Sequence, residues 1–244
     1  MRILTVDIGN TAVKGSVFEE GCLLGSTLLE TRDPSLLLPL VGEFAPQGAI
    51  CCCTGSDAAE FTAELESLTG LQAQMLSHAT PLPIRIEYTT PSTLGLDRVA
   101  AAAGASLRGG EILVADAGTA VTLDLVAGDT FLGGNISPGL GLRFRSLNKF
   151  TSRLPLIGPQ GELPAFGHDT ATAIRAGVVR GMVAEIADTF RRARRRFPHV
   201  RMLLTGGDAD FLAPLIEEAG VETEICHSLV GEGLERIYLH MIAL

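Results

Sequence analysis

Apolar and polar positions along the 244-residue chain fall into two kinds of run. Short runs of continuous or alternating apolar residues predict strands. Residues 2–7 (RILTVD) and 12–18 (AVKGSVF) flank a Gly9-Asn10-Thr11 turn and read as a β-hairpin, 22–30 reads as a third strand, and 48–55 (GAICCCTG) as a buried one. Longer runs carry a helical period. Ile174, Val178, Met182, Ile186 and Phe190 form one stripe at i, i+4 spacing and predict a helix over 170–196. Further helices are expected over 35–44 despite Pro39, over 57–69 with Ser56 or Asp57 near the N-cap, over 97–107 and over 232–243. A proline-rich connection, TPLPIRIEYTTPS, precedes the alanine-rich helix at 97–107, and RMLLTGGDADFLAPLIEEAG predicts strand, glycine turn and helix.

The opening pattern restarts at 111–126, EILVADAGTAVTLDLV: apolar strand, aspartate, Gly-Thr turn, second apolar strand. Strands and helices are thus mixed throughout, in two halves of similar layout. The expectation is an α/β protein with domains at 1–112 and 113–244.

Composition narrows the picture. Hydrophobic content is 46% and mean hydropathy is +0.31, but no stretch approaches the roughly 18 uninterrupted apolar residues of a membrane span. The chain reads straight into a strand with no basic and then apolar leader, so no secretory signal is expected. A net charge of −9 argues against general affinity for nucleic acid or anionic membranes. The run Arg191-Arg192-Ala193-Arg194-Arg195-Arg196 is read as a solvated helix C-terminus, where positive charge complements the helix dipole. Cys22, Cys51, Cys52, Cys53 and Cys226 show no paired spacing. Consecutive cysteines in a strand point to alternate faces, so they read as small buried residues of a reduced cytoplasmic protein. The five histidines have no ligand spacing and are read as structural.

The chemistry lies in the turns. In Asp7-Ile8-Gly9-Asn10-Thr11, glycine lets the backbone approach a phosphate, and exposed N–H groups with the Asn and Thr side chains can donate to it. A carboxylate one step before the turn can hold Mg²⁺ through water. A lone hairpin turn satisfies the same pattern. Asp116-Ala117-Gly118-Thr119 and Thr205-Gly206-Gly207-Asp208 make that simpler reading less economical, because three such turns can serve two phosphates and an adenosine.

In this order the three segments resemble the phosphate-1, phosphate-2 and adenosine motifs of the actin-like ATPase and sugar-kinase superfamily. TLGLDRVAAAAGA (93–105), DAGTAVTLDLV and GGNISPGLGL (133–142) narrow the resemblance to the type III pantothenate kinases. It implies two ribonuclease-H-like domains with a nucleotide cleft between them, and ATP-dependent phosphorylation of pantothenate at the start of coenzyme A synthesis. It implies that Asp7, Ile8, Gly9, Asn10, Thr11, Ala12, Val13 and Lys14 form the ATP phosphate loop, that Thr119 contacts ATP, and that Asp7 holds Mg²⁺ through water. It further implies that Tyr88, Gly95, Leu96, Asp97, Arg98 and Thr170 bind pantothenate, with Asp97 the general base, and that Asp116 holds a monovalent cation, K⁺ or NH₄⁺. A homodimer is implied too, with Thr170 acting across the interface. Simpler readings stand beside these: Asp97 and Thr170 as helix N-caps, Asp116 as part of a hairpin turn, Tyr88 as an ordinary half-buried tyrosine, and the 133–139 glycines as turn formers. An ATP-binding regulator and a kinase of the same fold with another acceptor are the alternative functions.

Overall fold

The computed structural model describes residues 1–53 and 58–244. In chain order its elements are β1 (Arg2–Ile8), β2 (Val13–Glu19), β3 (Cys22–Leu29), α1 (Leu38–Phe44), β4 (Gly48–Cys53), α2 (Ala58–Thr69), β5 (Ala73–Met75), β6 (Arg85–Ile86), α3 (Leu96–Ser106), β7 (Glu111–Ala117), β8 (Ala120–Ala127), β9 (Thr130–Pro138), α4 (Leu140–Lys149), α5 (Thr170–Arg196), β10 (Arg201–Thr205), α6 (Ala209–Glu218), β11 (Thr223–Ile225) and α7 (Leu229–Ile242). The expected helix at 35–44 divides at its proline: Pro34–Leu37 is a 3₁₀ turn capped by Asp33, and α1 begins with Pro39 in its first turn, where a missing N–H costs nothing. The Ser56 or Asp57 cap expected for α2 lies outside the described residues. Among the described residues, no helix is long and apolar enough to cross a membrane.

Two compact units emerge, and they are not the two halves of the sequence. The first comprises Met1–Gly110, Val126–Gly133 and Ser228–Leu244; the second comprises Glu111–Leu125 and Gly134–His227. A boundary near residue 112 therefore describes only part of the division, because the chain returns twice to the first unit.

In the first unit a five-stranded sheet runs in the order β3-β2-β1-β4-β5, with β1 antiparallel to β2 and parallel to β4. Alternate residues of β1 and β4 face opposite sides. Leu4, Val6, Ile8, Ala49 and Cys51 join Val17, Leu37, Phe61 and Leu65 in one core cluster. Ile3, Thr5, Asp7, Ile50 and Cys52 occupy the other face, where α7 and α3 pack. Those two helices meet backbone to backbone: a Cβ on Gly233 would overlap the Ala100 carbonyl, and one on Gly104 the Leu229 carbonyl. This close approach accounts for the run of alanines in α3 and is why the C-terminal helix belongs to the first unit.

In the second unit the strands run in the order β11-β10-β7-β8-β9, with β10 parallel to both β7 and β11. The predicted stripe of α5 is buried as expected: Ile174, Val178, Met182, Ile186 and Phe190 pack with Leu113, Ala115, Leu204 and Ile216. The arginine run ends this helix, with Arg192 bonded to Asp188 one turn back at 2.7 Å and Arg191 donating to the Ala219 carbonyl at 2.7 Å.

Candidate functional site

The first unit presents its motif residues at the carboxyl ends of two parallel strands, where open α/β sheets bind ligands. The hairpin between β1 and β2 closes with Gly9 N–H donating to the Ala12 carbonyl at 3.0 Å, leaving Asn10 and Thr11 exposed at the tip. Arg32 donates to the Gly9 carbonyl from outside at 3.1 Å. Asp7 stands opposite Lys14 across the antiparallel pair and beside Cys52 across the parallel one. Registered neighbours share a face, so a lysine, a carboxylate and a thiol form one row across three strands.

Cys52 also reports on Asp97. Its thiol is fully buried and its pKa is pushed well up, first by burial and then by the negative charges of Asp7 and Asp97. Two residues separated by 90 positions in sequence thus bring their carboxylates within electrostatic range of one thiol. Burial likewise pushes Cys51 up to about 12, so both thiols stay protonated and unreactive at neutral pH.

Asp97 is not the N-cap of α3. Gly95 occupies that position, and Asp97 lies in the first turn with Oδ1 accepting from the Arg98 backbone N–H at 2.9 Å. The carboxylate folds back over the glycine: a Cβ on Gly95 would lie 2.5 Å from Asp97 Oδ1. Glycine here makes room for the acid. Arg98 is buried, at 5% exposure, whereas Tyr88 and Asp97 are half-buried.

In the second unit β7 ends at Asp116, which is in register with Thr205 of β10. Gly118 N–H donates to the Ala120 carbonyl at 3.0 Å and closes the turn, with Thr119 exposed. Two further glycines wall this loop. Gly139 donates to the Thr119 carbonyl at 3.1 Å, and a Cβ on it would overlap the Gly118 carbonyl. Gly206, at φ +93°, has no room for a side chain beside the Ala117 carbonyl and would place a Cβ 2.6 Å from Asp116 Oδ1. Asp208 N–H then donates to the Ala117 carbonyl at 2.9 Å, and partial burial pushes its carboxyl up. A polar bracket fixes the segment before Gly139. Ser137 Oγ donates to Glu185 at 2.5 Å, Arg143 pairs with the same glutamate, and Arg143 Nε donates to the Pro138 carbonyl at 2.7 Å.

Thr170 is exposed at the first position of α5, and the cap is its neighbour. Asp169 accepts from Thr172 N–H at 2.7 Å while Thr172 Oγ1 accepts from the Asp169 N–H, a reciprocal capping box that holds the Asp169 carboxyl below its ordinary value. An aspartate at 169 therefore has a structural reason, and it leaves the Thr170 hydroxyl out of the cap.

A family model described as type III pantothenate kinase matches residues 3–192. The chain belongs to that family. A type III pantothenate kinase of Porphyromonas gingivalis is 38% identical over 240 residues, covering 96% of each chain. Among solved structures, a Campylobacter jejuni protein described as a Baf family transcriptional activator is 23% identical, with a TM-score of 0.65 and coverage of 99% of this chain and 100% of that one. The activator of 2-hydroxyisocaproyl-CoA dehydratase from Clostridium difficile, with ADPNP bound, has a TM-score of 0.54 at 14% identity, covering 100% of this chain and 98% of its own. These likenesses give the fold, that of the actin-like ATPases and sugar kinases.

In this chain, Asp7, Lys14 and Asp97 are drawn to one sheet end of the first unit, with Tyr88, Gly95 and Arg98 in the same unit. Asp116, Thr119 and Thr170 belong to the second. Sequence reasoning missed Cys52 as a neighbour of both carboxylates, Asp208 as a half-buried acid, and the Arg143–Glu185 bracket. The first was hidden in a run read as filler, and the last joins residues 42 positions apart. A groove of about 330 Å³ beside α5 and α6, lined by Val179, Val183, Ala187 and Leu215, contains none of the motif residues.

Proposed function

We propose that this chain transfers the γ-phosphoryl group of ATP to the primary alcohol of pantothenate, giving 4′-phosphopantothenate and ADP, in the cytoplasm and as a homodimer. The reading is supported by the family match over residues 3–192, and by Asp7 and Asp97 both lying within electrostatic range of the buried Cys52 thiol. One carboxylate ends the phosphate hairpin; the other opens the helix of the Gly-Leu-Asp-Arg motif.

In the reaction the pantothenate hydroxyl oxygen bonds to the γ-phosphorus as the bond from that phosphorus to the β–γ bridging oxygen breaks. ADP leaves, and the hydroxyl proton passes to Asp97. The chain's task is positioning and charge neutralisation. The Gly9–Thr11 turn offers N–H groups and side-chain donors to phosphate, and Lys14 supplies a positive charge beside Asp7. Among the described residues, no three His, Cys, Asp or Glu side chains gather as a metal cage. A single carboxylate at Asp7 fits Mg²⁺, which keeps several waters and takes phosphate oxygens as ligands. Bound there, Mg²⁺ would neutralise phosphate charge. Asp116 Oδ1, which lies with the Ala117 carbonyl beside Gly206, fits a monovalent cation, and Thr119 contacts ATP. Tyr88, Gly95, Leu96 and Arg98 line the pantothenate site, with Thr170 contributed by the partner protomer.

The test is ADP release with ATP and pantothenate, in K⁺ or in a large organic cation, for the wild type and Asp97→Asn. Loss of a general base lowers kcat by roughly 10²–10⁴-fold. Folded, ATP-binding protein without pantothenate-dependent turnover would sink the kinase reading in favour of a regulator. Full turnover in Asp97→Asn would keep the kinase but remove its base.

A further inference from the structure

Phe131 is a fully buried aromatic ring that touches two of the residues assigned to pantothenate. It lies in β9 at 0% exposure, opposite Ile86 in the short parallel pairing of β6 with β9. The Arg85 N–H donates to the Asp129 carbonyl at 2.7 Å and the Glu87 N–H to the Phe131 carbonyl at 2.9 Å, while the Arg85 side chain holds Thr130 Oγ1 at 3.1 Å. These bonds fix the backbone on both sides of the ring and bring Tyr88 off the end of β6 next to it. The Tyr88 ring is 6.0 Å from Phe131, centroid to centroid, at an interplanar angle of 65°. From α3, the Arg98 guanidinium carbon lies 5.6 Å from the same centroid.

Each contact has the geometry the ring's charge distribution favours. An aromatic face is electron-rich and attracts a guanidinium, most strongly when both are withdrawn from water, as Arg98 is at 5% exposure. Aromatic pairs likewise prefer tilted, edge-on arrangements over face-to-face stacking. Tyr88 and Arg98 come from different elements and are not neighbours in sequence, so their spacing is not set by local backbone. Phe131 supplies the common reference.

Resting on the reading that Tyr88 and Arg98 bind pantothenate, we propose that Phe131 is a positioning residue that sets the distance and angle between them and so determines acceptor affinity. It acts through its electron-rich ring and not only through its volume. Phosphoryl transfer and ATP binding draw on other residues and are independent of it.

A core-filling phenylalanine would need only its size, which makes electronic substitution the discriminating test. Site-specific replacement of Phe131 by mono-, di-, tri- and pentafluorinated phenylalanine nearly preserves the ring's volume while draining and then reversing the charge of its face. The unmodified enzyme is assayed first with ATP and pantothenate, and no turnover there overturns the kinase reading and this proposal together. With turnover established, the expected result is a graded rise in KM for pantothenate, reaching about tenfold at full fluorination, with kcat, KM for ATP and Tm nearly constant. Phe131→Leu, which removes both contacts, should raise KM for pantothenate at least as far, whereas the monofluoro variant should stay close to the unmodified enzyme. A flat KM across the series, or equal rises in KM for pantothenate and ATP, would overturn the role of Phe131 and leave the kinase reading intact.

Discussion

Asp7 and Asp116 each close a first strand and precede a glycine turn, yet the two turns are held by different means. Around Asp7 the supports are side chains: Lys14 opposite, Cys52 alongside, and Arg32 reaching the Gly9 carbonyl. The tip at Asn10 and Thr11 is exposed, and the nearest atom a Cβ on Gly9 would meet is the Ala12 carbonyl of its own turn, at 3.0 Å. Around Asp116 the supports are backbone: Gly139 and Gly206 press their α-carbons against the Gly118 and Ala117 carbonyls. The first loop leaves its tip open, whereas the second leaves no room for a side chain at its flanking glycines.

The sharpest test of that contrast replaces one glycine in each loop. Gly139→Ala forces a methyl into a carbonyl and should cost about 3 kcal/mol of stability, read as a fall in urea midpoint. Gly9→Ala crowds only its own turn and should cost about 1 kcal/mol. Equal losses would dissolve the distinction. A second glycine separates space for chemistry from space for folding. Gly95→Ala meets only the movable end of Asp97, so Tm should hold while kcat falls about 10-fold or more as the proposed base is pushed aside. A Tm loss with unchanged kcat would mean that Gly95 serves the helix start alone.

Smaller effects refine the comparison. Glu185→Gln weakens the half-exposed Arg143 pair that braces the walled loop, and should raise KM for ATP about threefold with little change for pantothenate. The smallest effect concerns stability against pH. Glu235 is buried in α7, accepting from Gly21 N–H at 3.2 Å, and burial raises its pKa above the ordinary 4.5; Glu232 adds to the rise, while the Gly21 bond and the N-terminal amine oppose it. A raised folded pKa contributes stability that is complete below the unfolded pKa and lost as pH rises through the folded one. Glu235→Gln keeps the acceptor and removes the charge. The Tm advantage of this variant should be absent below pH 4.5 and grow as pH increases above it.

Where local pattern and tertiary environment agree, the sequence was readable. The α5 stripe is strong, so both ends of the helix were legible, although its cap is Asp169 and not Thr170. The two Asp-Gly hairpins were legible because strand, acid and turn are contiguous. No element was expected over 130–149: β9 carries two glycines, and α4 exposes most of its length around buried Leu140 and Phe144. The simpler reading of Asp97 as the cap of α3 falls away, because the cap is Gly95, which has no side chain to advertise itself. That Asp7 stands beside Cys52 was not legible. Register across a parallel pair is a tertiary fact.

The return of α7 to the first unit also governs the order in which the protein can be made. Leu234, Ile237 and Tyr238 complete a core whose other walls are β1, β4 and α3. A ribosome delivers those walls early and the closing helix only after the whole second unit has emerged. During synthesis the second unit, contiguous from Gly134 to His227 apart from its first strands, can fold while the first still exposes Ile3, Ile50 and the small-residue face of α3. Until α7 is made, that face of the first unit lacks the helix that covers it.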